Sequence, residues 1–593
     1  VRILNHLWNL RLVGTLKLVV MLVVLVGCNA VARAQSQSDD KASDAVANGT
    51  ITGRVVTQSG QPLANAAVIL RGYGGGESHT VFTDAEGDFK ATNLRPIAYI
   101  VSGFAPTYVQ APRDPDINPI GYYRIGDSVR IEMRKGGVIT GAVKKANGEP
   151  VVLLNVRAFM VRDSKGTPAR YSFAVRTQQT DDRGVYRLYG LEPGTYVIAS
   201  DGGSGSSYNV QPYEGDVPTY APSSTRDTAT EVTVGSGEEV ANVNIRYRDE
   251  TGHSVSGHVT GPAVAEQSRG FNVTLVSVVN GIEQASYSAY QQPLASGFMF
   301  AGVADGEYNV VAETFLPPNA WSFSQPARRI TVRGADITGI ELAVKPLASM
   351  IGAVVLEDSK PAECQGKRQP VMGEIVISAW HNEKTAPKDL PNNIWGVGGP
   401  VTPAKQGSFT LQNLVAGQYR FVTRPLAKYW YLKSISWPSA AKPAQINQPP
   451  DAARNWTTIK SGDTYSGLTI TFTAGAASIE GRVEPPTGQT LSPRLFVYLT
   501  PAEPDKREDI LRYFVSLAAG DGSFALSNVP PGRYWIIAKA ATETDTNMLT
   551  KLRTPDETEL RARILREAET DKTQTELKPC QTVTDYRLAF QLR

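Results

Sequence analysis

The chain has 593 residues, 41% of them hydrophobic and 20% charged, with 53 Gly, 38 Pro and 3 Cys. That length exceeds what one hydrophobic core fills, the dispersed turn formers argue for many short strands, and so few cysteines exclude a disulfide-built scaffold. The 60 basic and 57 acidic residues leave a net charge of only +3, and that excess sits in the first segment.

Arg2, Arg11 and Lys17 precede the apolar run LVVMLVVLVG at 18–27, which is short for a membrane span and reads as an export signal. Two processing sites compete. LVGC at 25–28 has the form of a lipobox, which ends the leader at residue 27 and makes Cys28 the lipidated N-terminus. ARAQ at 32–35 fits small-x-small cleavage after Ala34, leaving a linker at 35–48; its well-placed Ala32 and Ala34 favour this site. Cleavage after Ala34 removes four basic residues and no acidic one, so the charge becomes −1, whereas cleavage before Cys28 leaves zero. No basic excess remains for nucleic acid. The membrane is reached only through a lipid on Cys28.

Along the rest of the chain one frame recurs five times. It begins at Gly87, Gly184, Ser296, Gly407 and Gly522, with apolar residues two, four and seven positions on, a second glycine at ten and Tyr at twelve. The tyrosines are Tyr99, Tyr196, Tyr308, Tyr419 and Tyr534; Ile97 replaces the second glycine in the first copy, so that turn must take another type or carry strain. Alternation at two and four predicts a strand with one buried face, and the flanking DDRG, EPGT and PPGR are turn chemistry. Each frame follows an opening strand with a central glycine, Gly53, Gly141, Gly257, Gly352 or Gly481. Glycine there marks a bulge or a close backbone approach. An alternating strand closes each copy (DSVRIEM, ANVNIRY, TGIELAV, SGLTITF, TDYRLAFQL).

Successive opening glycines lie 88, 116, 95 and 129 residues apart, too far for solenoid repeats and right for separate sandwiches. The predicted fold class is all-β, a tandem array of five β-sandwiches at 49–135, 136–249, 250–346, 347–475 and 476–593. The exception is a helix predicted over 554–569, with Thr554 as cap, Pro555 at its start and Leu560, Ile564, Leu565 and Ala568 on one face. Cys364 and Cys580 could pair in an oxidising compartment, but they fall in different repeats, which argues against a disulfide.

The stretch GTITGRVVTQSGQPLANAAVILRG followed by TDAEGDFKATNL, starting at Gly49, resembles the carboxypeptidase regulatory-like domain. The second copy is nearly as similar, the fifth is recognisable, and the third and fourth match mainly through the frame. The resemblance implies transthyretin-like sandwiches of about seven strands, export and a modular role, with carbohydrate-binding modules among related sandwiches. In metallocarboxypeptidases this module follows a separate catalytic domain. Here His6, His79, His253, His258 and His381 include no H-x-x-E pattern, so no zinc site, other metal or cofactor is expected. No nucleophile elbow stands in strand-to-helix context, GGSGSSY at 202–208 reads as a loop, and DPDIN at 114–118 fails as a calcium loop at Pro119 and Ile125. No catalytic residue is assigned.

Five of the seven tryptophans beyond the leader fall in the fourth copy. Trp395, Trp437 and Trp456 lie in turn-rich segments and are the candidate ligand-binding residues, because a ring with one apolar face stacks on sugars or on protein. The alternative is that long loops fold back and bury them. The expected function is a non-catalytic exported protein of the cell envelope or medium, in adhesion or as a scaffold. Polysaccharide binding by the fourth sandwich, or an accessory role to an exported enzyme or outer-membrane transporter through envelope-protein partners, are the alternatives.

Overall fold

The computed structural model describes residues 48–590 except 75, 112–120, 170–173, 202–212, 214, 262–269, 280–281, 292–295, 317–319, 325–326, 359–360, 383, 386–397, 425–426, 439–450, 487, 489, 493, 542–544 and 546. The leader, Cys28 and Trp395 lie outside the described residues. The architecture is five β-sandwiches, and the first shows the plan. Its strands are β1 (Gly49–Thr57), β2 (Ala67–Gly72), β3 (Ser78–Phe82), β4 (Asp88–Leu94), β5 (Tyr99–Phe104), β6 (Tyr108–Gln110) and β7 (Ser128–Lys135). One sheet has the order β4-β1-β7-β6 and the other β3-β2-β5, with Val55, Val68, Leu70, Phe89, Leu94 and Ile131 buried between them.

In every sandwich the opening strand is central. It pairs antiparallel with the frame strand and parallel with the closing strand, β1 with β4 and β7 in the first case. The same holds for Gly137–Lys144, His253–Thr260, Ala348–Glu357 and Ala477–Glu484. The opening glycine is the point of closest approach. A Cβ on Gly53, Gly141 or Gly257 would lie 2.0 Å from the carbonyl oxygen of Val129, Val243 or Ile340 on the closing segment. On Gly481 it would lie 2.2 Å from that of Tyr586, and on Gly352 it would lie 2.4 Å from the Phe409 ring and 2.7 Å from the Leu468 oxygen. No other residue fits at that separation.

The frame positions also have backbone duties. The carbonyls of Gly87, Gly184, Ser296, Gly407 and Gly522 accept the amides of Val55, Val143, Val259, Val354 and Val483 at 2.8–2.9 Å. Four of these turns take glycine at φ 74 to 89°; Ser296 keeps the hydrogen bond without it. Six residues further on, Asn93, Gly190, Gly302, Asn413 and Asn528 all have φ of 57 to 68°. Each opening strand carries a register shift facing that residue, the bulge that left-handed Asn or Gly makes at low cost.

The recurring tyrosine closes the turn. Its hydroxyl donates to the carbonyl four residues back in all five copies: Tyr99 to Arg95 (3.0 Å), Tyr196 to Glu192 (2.6 Å), Tyr308 to Ala304 (2.8 Å), Tyr419 to Val415 (2.9 Å) and Tyr534 to Pro530 (2.7 Å). This is the geometry of a tyrosine corner, in which a buried ring carries a donor to a turn carbonyl. Burial pushes all five phenol pKa values upward, so each stays a donor. Tyr419→Phe keeps the packing and orphans a buried carbonyl; the expected loss is about 1–2 kcal/mol, read as a lower urea midpoint with unchanged slope.

Three features depart from the sequence reading. In the third sandwich Ala320–Ser324 pairs with both Gly306–Leu316 and Ile337–Pro346, joining its two sheets into one of eight strands. The helix begins at Thr558, not Thr554, and runs to Asp571. Thr554 instead donates its hydroxyl to Thr550 at the end of the short helix Met548–Leu552, so it closes one helix and caps none. The buried face is Arg561, Ile564, Leu565 and Ala568, with Leu560 half-buried. Arg561 belongs there because its guanidinium donates to the carbonyls of Leu552, Thr554 and Pro555. Both helices lie on the outer face of the last sandwich, over Phe496, Tyr498 and Ile537. Finally, Cys364 and Cys580 form a disulfide across the fourth and fifth sandwiches, with Cα atoms 5.4 Å apart. Different repeats keep cysteines apart only if the repeats themselves stay apart, and here they do not.

Ile97 resolves without a left-handed residue. Its amide closes a tight turn on the Arg95 carbonyl at 2.8 Å, and its side chain lies against Gly373 of the fourth sandwich. Ala98 donates to the Gly373 carbonyl at 2.9 Å, and the Tyr73 hydroxyl to that of Pro400. The position that departs from the frame is thus a contact between the first and fourth sandwiches. Among the described residues no helix is long and apolar enough to cross a membrane.

Candidate functional site

The two described tryptophans of the candidate set have different partners. Trp437 is half-buried; its Nε1 donates to the Ser466 carbonyl at 3.0 Å and its ring meets Tyr465 edge-on at 5.6 Å. It packs on the core of its own sandwich. Trp456 donates from Nε1 to Asp556 Oδ1 at 2.8 Å, across to the fifth sandwich. Trp430, buried in the fourth core, presents its carbonyl to the Asn528 amide at 2.7 Å. Of the tyrosines in turn-rich segments, Tyr122 meets Tyr73 edge-on, Tyr213 meets Tyr247, and Tyr220 is buried.

The Trp456 and Trp430 contacts lie at the junction of the fourth and fifth sandwiches. Asn528, the left-handed bulge residue of the fifth frame, also donates to Ala427 at 2.8 Å. Arg454 pairs with Glu508 at 2.7 Å, and Ile510 and Leu511 of the fifth sandwich are buried in the core of the fourth. The disulfide fastens the same junction. Apolar burial, directed hydrogen bonds and a covalent link together fix the two sandwiches against each other.

Between them lies a cavity of about 1190 Å³. Arg420 lines it, on the strand Gly417–Arg424, one residue after the corner tyrosine. Only 8% of its surface is exposed. Its guanidinium stacks on the Trp380 ring at 4.8 Å and donates to the Thr550 carbonyl at 3.4 Å. No carboxylate pairs with it among the described residues, and burial alone pulls its pKa down to about 10. Sequence reading passed over Arg420. The signal was present, since the residue after the corner tyrosine is uncharged in the other four copies: Ile100, Val197, Asn309 and Trp535.

Elsewhere, His253 faces Asp305 at 3.3 Å and Asp336 at 3.9 Å, a polar cluster at the surface. Among the described residues no group of three or more His, Cys, Asp or Glu side chains is placed to hold a metal ion.

With this geometry in hand, comparison with known families gives one assignment. Residues 50–120 match the carboxypeptidase regulatory-like domain. The regulatory-like domain therefore starts at β1 of the first sandwich, and the other four sandwiches repeat its frame. No curated protein matches the chain. Solved structures with some similarity include the TIE protein of Bacillus anthracis, 14% identical, covering 50% of this chain and 51% of that one, with a TM-score of 0.13. This chain thus spans about half the length of the TIE protein. Two B repeat units of the collagen-binding protein of Staphylococcus aureus are 12% identical over 72% of this chain and 100% of that one, with a TM-score of 0.12. The major pilin subunit BcpA of Bacillus cereus is 10% identical over 72% and 99%, with a TM-score of 0.13.

Proposed function

We infer that this is a non-catalytic exported protein, in which repeated regulatory-like sandwiches act as a scaffold that presents loops for surface binding or adhesion. The observation that carries the reading is where the repeated residues go. Across five copies, the opening glycine serves backbone approach, the left-handed Asn or Gly serves a bulge, and the tyrosine hydroxyl serves a turn carbonyl. What the chain repeats is a fold, so its specificity rests on the segments that differ between copies. The leader at 1–34, or at 1–27 with a lipid on Cys28, supports export to the envelope or medium.

Glycan recognition by Trp395, Trp437 and Trp456 is the narrower alternative. A ring whose N–H is engaged can still stack a face on sugar, and Trp437 is half-buried rather than enclosed. Affinity electrophoresis of the mature chain on a polysaccharide panel separates the readings. The scaffold reading expects free migration on every glycan and co-purification with envelope proteins. Retardation by one glycan that is lost in Trp395→Ala or Trp437→Ala replaces it with the carbohydrate reading. Turnover of peptides or glycans by metal-free protein contradicts both.

A further inference from the structure

We propose that the cavity between the fourth and fifth sandwiches binds an amphipathic monocarboxylate, with its anionic end on Arg420 and its apolar body along the cavity wall. The proposal does not depend on the scaffold reading. The apolar wall comes from both sides, with Phe421, Leu432 and Ile435 from the fourth sandwich and Ile510, Leu511 and Phe514 from the fifth. At about 1190 Å³ the space holds a small ligand whole.

The charge on Arg420 decides the ligand class. A guanidinium taken out of water without a counterion is costly, and an anion delivered to it recovers much of that cost. The other cations of the lining are already engaged. Arg482 pairs with Asp521 at 3.1 Å and Arg587 with Glu484 at 2.9 Å. Arg553 donates to the carbonyls of Tyr513 and Leu511 and stacks on Phe514. Glu480 and Asp585 also line the cavity, but both are exposed. Arg420 is buried, and its donors meet one carbonyl at a long 3.4 Å. The planar guanidinium with its forked donors suits a single carboxylate. The apolar part of the wall suits a hydrocarbon body.

Equilibrium dialysis of the full mature chain, disulfide intact, against labelled octanoate and labelled octanamide tests this. Octanoate is expected to bind saturably, and octanamide about tenfold more weakly, because only the acid carries the charge. Arg420→Gln is expected to weaken octanoate by about tenfold and to leave octanamide unchanged. Ser527→Trp, at an exposed strand position that lines the cavity, is expected to weaken both ligands, and it reports on the cavity even if the Arg420 variant does not fold. No saturable octanoate binding overturns the proposal, as does equal binding of acid and amide, a folded Arg420→Gln chain with undiminished affinity, or a Ser527→Trp chain that binds like the parent.

Discussion

Gly53→Ala is expected to unfold the regulatory-like domain locally, with a loss of about 3 kcal/mol or more. The new methyl would stand 2.0 Å from the Val129 carbonyl oxygen and 2.6 Å from the Phe89 ring. Neither neighbour can yield cheaply. The carbonyl belongs to β7, held in parallel register with β1 over six residue pairs, and the ring is buried in the core. In a domain of this size the loss corresponds to a fall of about 12 °C or more in its thermal transition. Calorimetry of the full chain reads it, with Gly399→Ala as control, because no described residue lies within 4 Å of that added Cβ. Equal transitions for both variants would mean that β1 and β7 are not in contact as described.

Removing the Cys364–Cys580 bond is expected to cost the junction about 2–5 kcal/mol, toward the upper end because a long loop is closed. The linked residues are 216 apart in sequence, so the reduced chain regains much entropy on unfolding. The effect is expected to be local. Hydrogen exchange should accelerate around Ala362–Cys364 and Gln574–Leu577 and in the Ile510–Leu511 segment that enters the fourth core. Exchange in β1 to β7 should stay as it was. Cys364→Ser combined with Cys580→Ser separates the covalent term from effects of reductant. Identical unfolding of the oxidised and reduced chains would show that noncovalent contacts alone hold the junction.

Much of this fold was legible because each frame position answers to a local constraint. Apolar residues at two and four name a strand, glycine names a turn, and opening and closing strands bracket each copy. The left-handed position was equally legible, since Asn93, Gly190, Gly302, Asn413 and Asn528 belong to the two residue types most at ease there. Alternation hides it, because it falls between two buried residues and carries no hydrophobic signal. The tyrosines are legible in sequence only as a recurring position; the hydroxyl bond needs the fold of the turn to be seen. The helix start moved from Thr554 to Thr558 because cap chemistry also suits the close of the preceding helix. The disulfide and the Arg420 cavity arise where separate repeats meet, and spacing within a repeat carries no information about that. Trp437 and Trp456 show the same limit, since a turn-rich sequence placed them in loops but could not name Ser466 or Asp556 as partners.

The central claim is that one sandwich plan, with its opening strand locked between the frame and closing strands, is built five times. Hydrogen–deuterium exchange of the full chain tests it most directly. The account expects five separate clusters of slow amides, centred on Gly53, Gly141, Gly257, Gly352 and Gly481, each accompanied by slow exchange in its closing strand. An opening strand that exchanges as fast as the turns beside it, in any one copy, would contradict the claim.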